Sequence, residues 1–223
     1  MDTLLIDIGN SAIKWRLNAQ QGSSLLEKFS LDLLPEANRI VASCVGDCAP
    51  LSNKAVEFVE SPARFKGFVS SYEAPETLGV DRFLAMLAGM EKHPNQTLLV
   101  IDAGSALTFD VIDNQGQHQG GLIMPGLKTL QQSFTKFATD EMQVFNKLLA
   151  KNTEQAWAGG TTQMFVSAVN TQLEQYLSHY SELKILLTGG DAKWVSLMLA
   201  HPASIEQHLV LDGLQIYAQT PKD

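Results

Sequence analysis

The 223-residue chain has only two cysteines, Cys44 and Cys48 in Cys-Val-Gly-Asp-Cys. Two thiols without a His or Cys partner set make a poor zinc site. Ordinary burial is therefore the expectation for both. There is also no excess of positive charge: 16 Lys and Arg stand against 24 Asp and Glu, a formal net charge of −8. With no basic stripe to neutralise phosphates, the composition argues against a nucleic-acid or anionic-membrane partner. No apolar run approaches the roughly 18–20 residues that span a bilayer. A basic segment followed by an apolar stretch is missing from the start, where Asp2 and Asp7 flank Leu4–Ile6. A cytoplasmic protein is expected. Low-complexity sequence is absent too. What is present is a hydrophobic share of 45%, ample for a packed core in one large domain or two small ones.

Against that background one pattern occurs twice. Leu4-Leu5-Ile6-Asp7-Ile8-Gly9-Asn10-Ser11 and Leu99-Val100-Ile101-Asp102-Ala103-Gly104-Ser105 each read as a buried strand ending in a carboxylate, a glycine turn and a hydroxyl. A second strand follows each, Ala12–Arg16 and Leu107–Val111. Glycine permits a tight turn and close approach of another backbone or a phosphate. The Asp and the hydroxyl suit a phosphate-bound cation. The pair suggests two related lobes closing on a nucleotide.

The first lobe reads as strands near 3–8, 11–18 and 25–31, a buried strand at 39–45, a short helix over 47–56 and a strand at 56–59. Pro62, Gly67, Pro75 and Gly79 punctuate a loop-rich stretch. Phe83, Met86, Leu87 and Met90, at i, i+3, i+4 and i+7, predict a helix over 80–92. His93-Pro94-Asn95 ends it and marks the lobe boundary, giving lobes 1–95 and 96–223. The second lobe repeats the opening with strands at 97–102, 106–113 and 118–124. Helices are expected at 127–138 and 153–178, the latter with Thr161, Phe165, Ala168, Leu173 and Tyr176 inward. A strand at 183–187, a helix at 192–200, a short strand at 205–209 and a helix from Asp212 complete it. Three meander strands and then helix–strand alternation, twice, is the order of the ribonuclease-H-like lobe. The expected fold is therefore α/β: two such lobes with mixed sheets, the actin-like ATPase architecture shared with sugar kinases and heat-shock ATPases.

Each constellation has a bland reading beside its chemical one. Asp7 to Lys14 is either a plain hairpin or a phosphate cradle with accessible N–H groups, a carboxylate and a Lys. Its second copy favours the cradle, because phosphoryl transfer needs donors and a cation on both sides of the phosphate chain. In the second turn Asp102 either braces the turn or holds a cation, and Ser105 can bond a phosphate oxygen. Gly79-Val80-Asp81-Arg82 opens a helix, where N–H groups and the dipole favour an anion. Arg82 can fork onto a carboxylate, and Asp81 can take a proton from a hydroxyl nucleophile. The structural alternative is a dipole-stabilising Asp and a surface ion pair. Gly120–Gly126 and Thr188-Gly189-Gly190-Asp191 are weak signals singly, the latter standing where α/β folds accept a base or ribose.

Taken in order, these motifs resemble the type III pantothenate kinase family. Its Asp-x-Gly-Asn-Thr/Ser with a downstream Lys appears as Asp7 to Lys14, its Gly-x-Asp-Arg as Gly79 to Arg82, and its Asp-x-Gly-Thr as Asp102 to Ser105. Its Gly-Gly-x-Ile-x-Pro-Gly appears as Gly120 to Gly126, and its Thr-Gly-Gly as Thr188 to Gly190. Ser11 and Ser105 stand where Thr is usual, and the family's basic, proline-marked pattern is missing around Lys136–Gln143.

The resemblance implies ATP-dependent phosphorylation of pantothenate, the first step of coenzyme A biosynthesis, with Asp81 as catalytic base. It implies that Tyr72, Gly79, Val80, Asp81 and Arg82 contact pantothenate, with Thr153 helping across a homodimer interface. ATP would be bound by Asp7, Ile8, Gly9, Asn10, Ser11, Ala12, Ile13, Lys14 and Ser105. Asp102 would hold the monovalent cation, potassium or ammonium, and Mg²⁺ would accompany ATP. An alternative is a regulatory protein like the Bvg accessory factor of the same family; a retained base argues against a pure binder. Another two-lobed phosphotransferase or phosphatase is the third reading, set aside because Gly-Val-Asp-Arg with Tyr72 is not the usual sugar-kinase set.

Overall fold

The computed structural model describes residues 2–51, 54–145 and 147–221. By contact they form two compact units. The first contains Met1–Asn95, Asp110–Gly120 and His208–Asp223; the second contains Gln96–Phe109 and Gly121–Gln207.

In the first unit, strands β1 (Thr3–Ile8), β2 (Ala12–Leu17), β3 (Gln20–Leu25), β4 (Arg39–Cys44) and β5 (Glu57–Phe58) form one sheet in the order β3-β2-β1-β4-β5. The first three make an antiparallel meander, and β4 and β5 run parallel to β1. Alternation along β1 sends Leu4, Ile6 and Ile8 to one face, where they form a core with Ile13, Ala42 and Leu51. The third strand comes earlier than the expected 25–31. The hairpin turns at Asn18, with φ 52, so Gln21-Gly22-Ser23 is strand and not turn. Gly22 is there because Trp15 lies across it: a Cβ would come within 2.7 Å of the indole ring. The expected helix over 47–56 is a single 3₁₀ turn at Ala49–Leu51 among the described residues.

Cys44 and Cys48 are joined in a disulfide, and Cys48 is exposed, so ordinary burial does not describe them. The loop-rich stretch contains a small hairpin, β6 (Arg64–Phe65) and β7 (Phe68–Val69). Lys66 (φ 44) and Gly67 (φ 86) give it the two left-handed residues of a tight hairpin turn. Helix α1 (Val80–Lys92) matches its expected span, with Phe83, Met86 and Leu87 buried. Among the described residues the chain closes with a helix at Leu209–Gln219, starting before the expected Asp212. Its Gly213 lies on the Leu84 carbonyl of α1, an approach that any side chain would block.

The second sheet has the same order one repeat later. It is built from β8 (Thr97–Ala103), β9 (Ala106–Ile112), β10 (His118–Pro125), β11 (Leu183–Thr188) and β12 (Ser204–Ile205), ordered β10-β9-β8-β11-β12. This doubled order is the ribonuclease-H-like one. Helix α2 (Leu127–Gln132) is half the expected 127–138. Beyond it Phe134 and Phe137 turn onto the Trp157 ring, with centroids at 6.0 and 5.6 Å. Gln131 also clasps the Gln143 backbone at 2.6 and 3.0 Å, which fixes the returning chain. Helix α3 (Thr153–His179) begins at Asn152, whose side chain accepts the Gln155 N–H at 2.8 Å. It buries Thr161, Phe165, Val169 and Leu173, while Ala168 and Tyr176 are only half-buried. Helix α4 (Ala192–Ser196) is shorter than expected, and the closing helix of the first unit is α5 (Leu209–Gln219).

Candidate active site

Gly79 is the N-cap of α1 and has no side chain to offer the helix. Its bareness has another use. The Asp81 carboxylate folds back so that Oδ1 accepts the Arg82 N–H at 2.8 Å, and a Cβ on Gly79 would stand 2.7 Å from that oxygen. Gly-x-Asp is thus a spacing rule: the glycine vacates the volume that the carboxylate fills. Burial raises the Asp81 pKa above its ordinary 3.8; the Arg82 N–H and the Arg82 charge oppose this, and the Asp110 charge reinforces it. Val80 is buried, leaving only its backbone for a ligand.

Arg82 is the centre of a buried polar network. Its Nε donates to Asp110 Oδ2 at 2.9 Å, its Nη2 to Asp110 Oδ1 at 2.6 Å, and its Nη1 to the Tyr72 hydroxyl at 2.9 Å. Burial alone would depress the guanidinium pKa. Hydrogen bonds and charge from Asp110, then from Tyr72, outweigh it and hold the pKa above the ordinary arginine range. Asp110 Oδ1 also meets His118 Nε2 at 3.1 Å, and His118 Nδ1 meets Ser71 Oγ at 3.2 Å. The His118 ring stacks with those of Phe68 and Tyr72, with centroids at 6.2 and 5.8 Å. The fork onto a carboxylate expected of Arg82 is made within the protein, where its side-on edge is taken by Asp110. Of five N–H donors, three are engaged. Asp110 and His118 were missed by motif reading, although an acid in the middle of Leu107–Ile112 is itself a signal.

The turn Asp7–Lys14 lies in the same unit. The Gly9 N–H donates to the Ala12 carbonyl at 3.0 Å, and Lys14 stands opposite Asp7 in the β1–β2 register. Behind it Gly46 lies so near that a Cβ would be 2.9 Å from the Gly9 carbonyl oxygen. Asn10 and Ser11 are exposed at the turn. Ile8 and Ile13, expected in the ATP set, are fully buried in the core and offer only backbone.

Asp102 and Ser105 belong to the second unit. The Gly104 N–H donates to the Ala106 carbonyl at 2.9 Å, and the Ser105 carbonyl accepts from the Gly126 N–H at 2.9 Å and the Thr129 hydroxyl at 2.6 Å. Gly189, at φ +96, packs directly against Asp102, since a Cβ there would collide with Asp102 Oδ1 and the Ala103 carbonyl, and that carbonyl accepts the Asp191 N–H at 2.9 Å. A carboxylate oxygen with a neighbouring carbonyl is an oxygen-only donor set, which fits a hard cation. No group of three or more His, Cys, Asp or Glu suited to a metal occurs among the described residues. Asp191, after Gly190, has its pKa raised by burial against the pull of Lys128. Thr153 is exposed as the first residue of α3.

A family model described as type III pantothenate kinase matches residues 34–175. A type III pantothenate kinase of Teredinibacter turnerae is 29% identical, covering 98% of this chain and 99% of that one. One of Cellvibrio japonicus is 32% identical over 96% of each. Among solved structures, a Campylobacter jejuni protein described as a Baf family transcriptional activator superposes with a TM-score of 0.64. It shares 22% identity and covers 96% of both chains, a likeness that shows the fold.

Proposed function

The chain belongs to the type III pantothenate kinase family, and on that premise we propose how its residues divide the work. The protein transfers the γ-phosphoryl group of ATP to the primary hydroxyl of pantothenate, giving 4′-phosphopantothenate and ADP. The observation that carries the reading is the Asp81 carboxylate. It sits at the start of α1 with one oxygen pinned by the Arg82 N–H and its place kept by Gly79. Oδ2 takes the hydroxyl proton as the hydroxyl oxygen attacks phosphorus and the bond to ADP breaks. In-line transfer asks the protein mainly for positioning and charge neutralisation. Tyr72 and the two remaining N–H groups of Arg82 orient the acidic acceptor, with the backbone of Gly79 and Val80.

Asp7 to Lys14 bind the ATP phosphates through the Gly9–Ser11 backbone and the Lys14 charge, and Ser105 contributes its hydroxyl. Asp102 holds potassium or ammonium, which would neutralise phosphate charge when bound; Mg²⁺ arrives with ATP. Thr153 serves substrate binding in a homodimer. Exposed Leu122, Ile123 and Met164 in the second unit support such an interface. No helix among the described residues is long and apolar enough to cross a membrane, and we place the enzyme in the cytoplasm.

The test is turnover of pantothenate with MgATP, with and without potassium. Product formation supports the reading, and no phosphopantothenate under any of these conditions ends it. Asp81→Asn is expected to lower kcat by about 10²–10⁴-fold. In the wild type, kcat/KM falls as pH drops through the raised Asp81 value, because the base is then protonated. The sign for stability is the reverse. Folding disfavours the ionised carboxylate, so the asparagine variant melts no lower than wild type at neutral pH. Near wild-type turnover in that variant would remove Asp81 as base.

A further inference from the structure

We propose that Asp110 and His118 are positioning residues of the acceptor site, fixing Arg82 and Tyr72 in the one arrangement that receives the substrate. The proposal rests on the pantothenate kinase reading and extends it to two residues that no motif contains. Asp110 is buried in β9 and spends both carboxylate oxygens on Arg82. A guanidinium held side-on by two bonds cannot rotate about its last torsion, so its remaining N–H groups keep a fixed direction. The Tyr72 hydroxyl accepts from Nη1, and its ring lies 5.7 Å from the guanidinium carbon.

His118 locks the far side. Its Nε2 reaches Asp110 Oδ1, its Nδ1 reaches Ser71 Oγ, and its ring stacks with those of Phe68 and Tyr72. The Tyr72 ring therefore has His118 on one face, and the Asp110 carboxylate has a partner on each side. Ser71, Tyr72, Arg82, Asp110 and His118 form one chain of side-chain bonds across β7's exit, α1, β9 and β10. With Arg82, Asp110 and His118 buried at its centre, a bonded chain of this kind holds one geometry. Asp81 feels the same charges: Arg82 on its own helix and Asp110 from β9, the latter also facing His118.

The experiment uses the full-length enzyme, with pantothenate binding by calorimetry alongside steady-state kinetics. Asp110→Asn should raise the pantothenate KM and Kd about 10- to 100-fold, the scale of a lost charge-assisted bond, and leave the ATP KM within about 2-fold of wild type. Its kcat/KM acid limb should move to lower pH, since removing the Asp110 charge removes a contribution that raises the Asp81 pKa. His118→Phe keeps the stacked ring and deletes both nitrogens; it should weaken pantothenate about 5- to 10-fold. His118→Gln restores an N–H toward Asp110 and should return most of that loss. If Asp110→Asn does not fold, the histidine pair decides alone. Wild-type pantothenate binding in His118→Phe, or in a folded Asp110→Asn with an unmoved limb, overturns the proposal. Should the wild type bind pantothenate without phosphorylating it, the kinase reading fails while these binding shifts still judge the positioning. If it neither binds nor phosphorylates pantothenate, both fall.

Discussion

The two Asp-x-Gly hairpins close the same kind of turn, three residues on from the glycine in the first and two in the second, and part company four residues beyond it. In each, the glycine N–H returns to an alanine carbonyl, Gly9 to Ala12 at 3.0 Å and Gly104 to Ala106 at 2.9 Å. Counting four residues on from that alanine gives Arg16 in the first copy and Asp110 in the second. Both face a helix and both find an opposite charge. Arg16 bonds Asp212 of α5 at 2.7 Å, with side chains 16% and 22% exposed. Asp110 bonds Arg82 of α1 at 2.6 Å, with exposures of 3% and 5%. One scaffold position has thus been given opposite charges and opposite tasks. Near water, the pair fastens the closing helix, and Asp212 is shared with Lys92 at 3.0 Å. Away from water, the pair holds the Arg82 guanidinium in one orientation, next to Asp81 on α1.

The sharpest way to break this comparison is to delete the equivalent charges. Asp110→Ala strands a buried guanidinium and should cost about 3–5 kcal/mol in urea unfolding. Arg16→Ala leaves Asp212 with Lys92 and some solvent, and should cost about 1 kcal/mol. Equal losses would mean that burial does not separate the two hairpins.

The glycines behind the turns offer a smaller contrast. Gly189 combines a left-handed φ of +96 with collisions against Ala103 and Asp102, whereas Gly46 would only crowd the Gly9 carbonyl. Gly189→Ala should lose roughly 2 kcal/mol of stability and Gly46→Ala about half of that, read by thermal melts. A reversed order would show that the first turn is the more tightly backed.

The smallest effect concerns what only the first turn has, the Cys44–Cys48 disulfide around Gly46. So short a loop restricts the unfolded chain only modestly, and reduction should lower stability by no more than about 2 kcal/mol. Because the loop backs Gly9, reduction should raise the ATP KM by up to about 3-fold and leave the pantothenate KM alone. A change in the pantothenate KM instead would move the disulfide's influence to the acceptor site. Such bonds open in reducing compartments, so both states are worth measuring.

Much of this is legible in the sequence. Helix α1 follows from Phe83, Met86 and Leu87 at helical spacing, because packing one face against a core needs that period. Both strand–turn–strand units follow from an apolar run meeting Asp and Gly. What escaped was set by distant neighbours. Gly22 reads as a turn until Trp15 is laid across it, and Lys66-Gly67 reads as loop until Phe68 is buried beneath. The 3₁₀ turn at Ala49–Leu51 and the early end of α2 show local helical tendency yielding to tertiary packing.

The site divides along the same line. The family, the doubled ribonuclease-H-like order and the carboxylate at Asp81 are carried by residues a few positions apart and so are readable along the chain. Gly79 makes room for Asp81 two residues on, a constraint that any local chain must obey. Only the tertiary structure decided what Arg82 does, since its partner Asp110 lies 28 residues away and His118 a further eight. A charge in a sequence has no fixed partner. Burial supplies one, because a guanidinium taken out of water must be met by whichever carboxylate the fold brings to it.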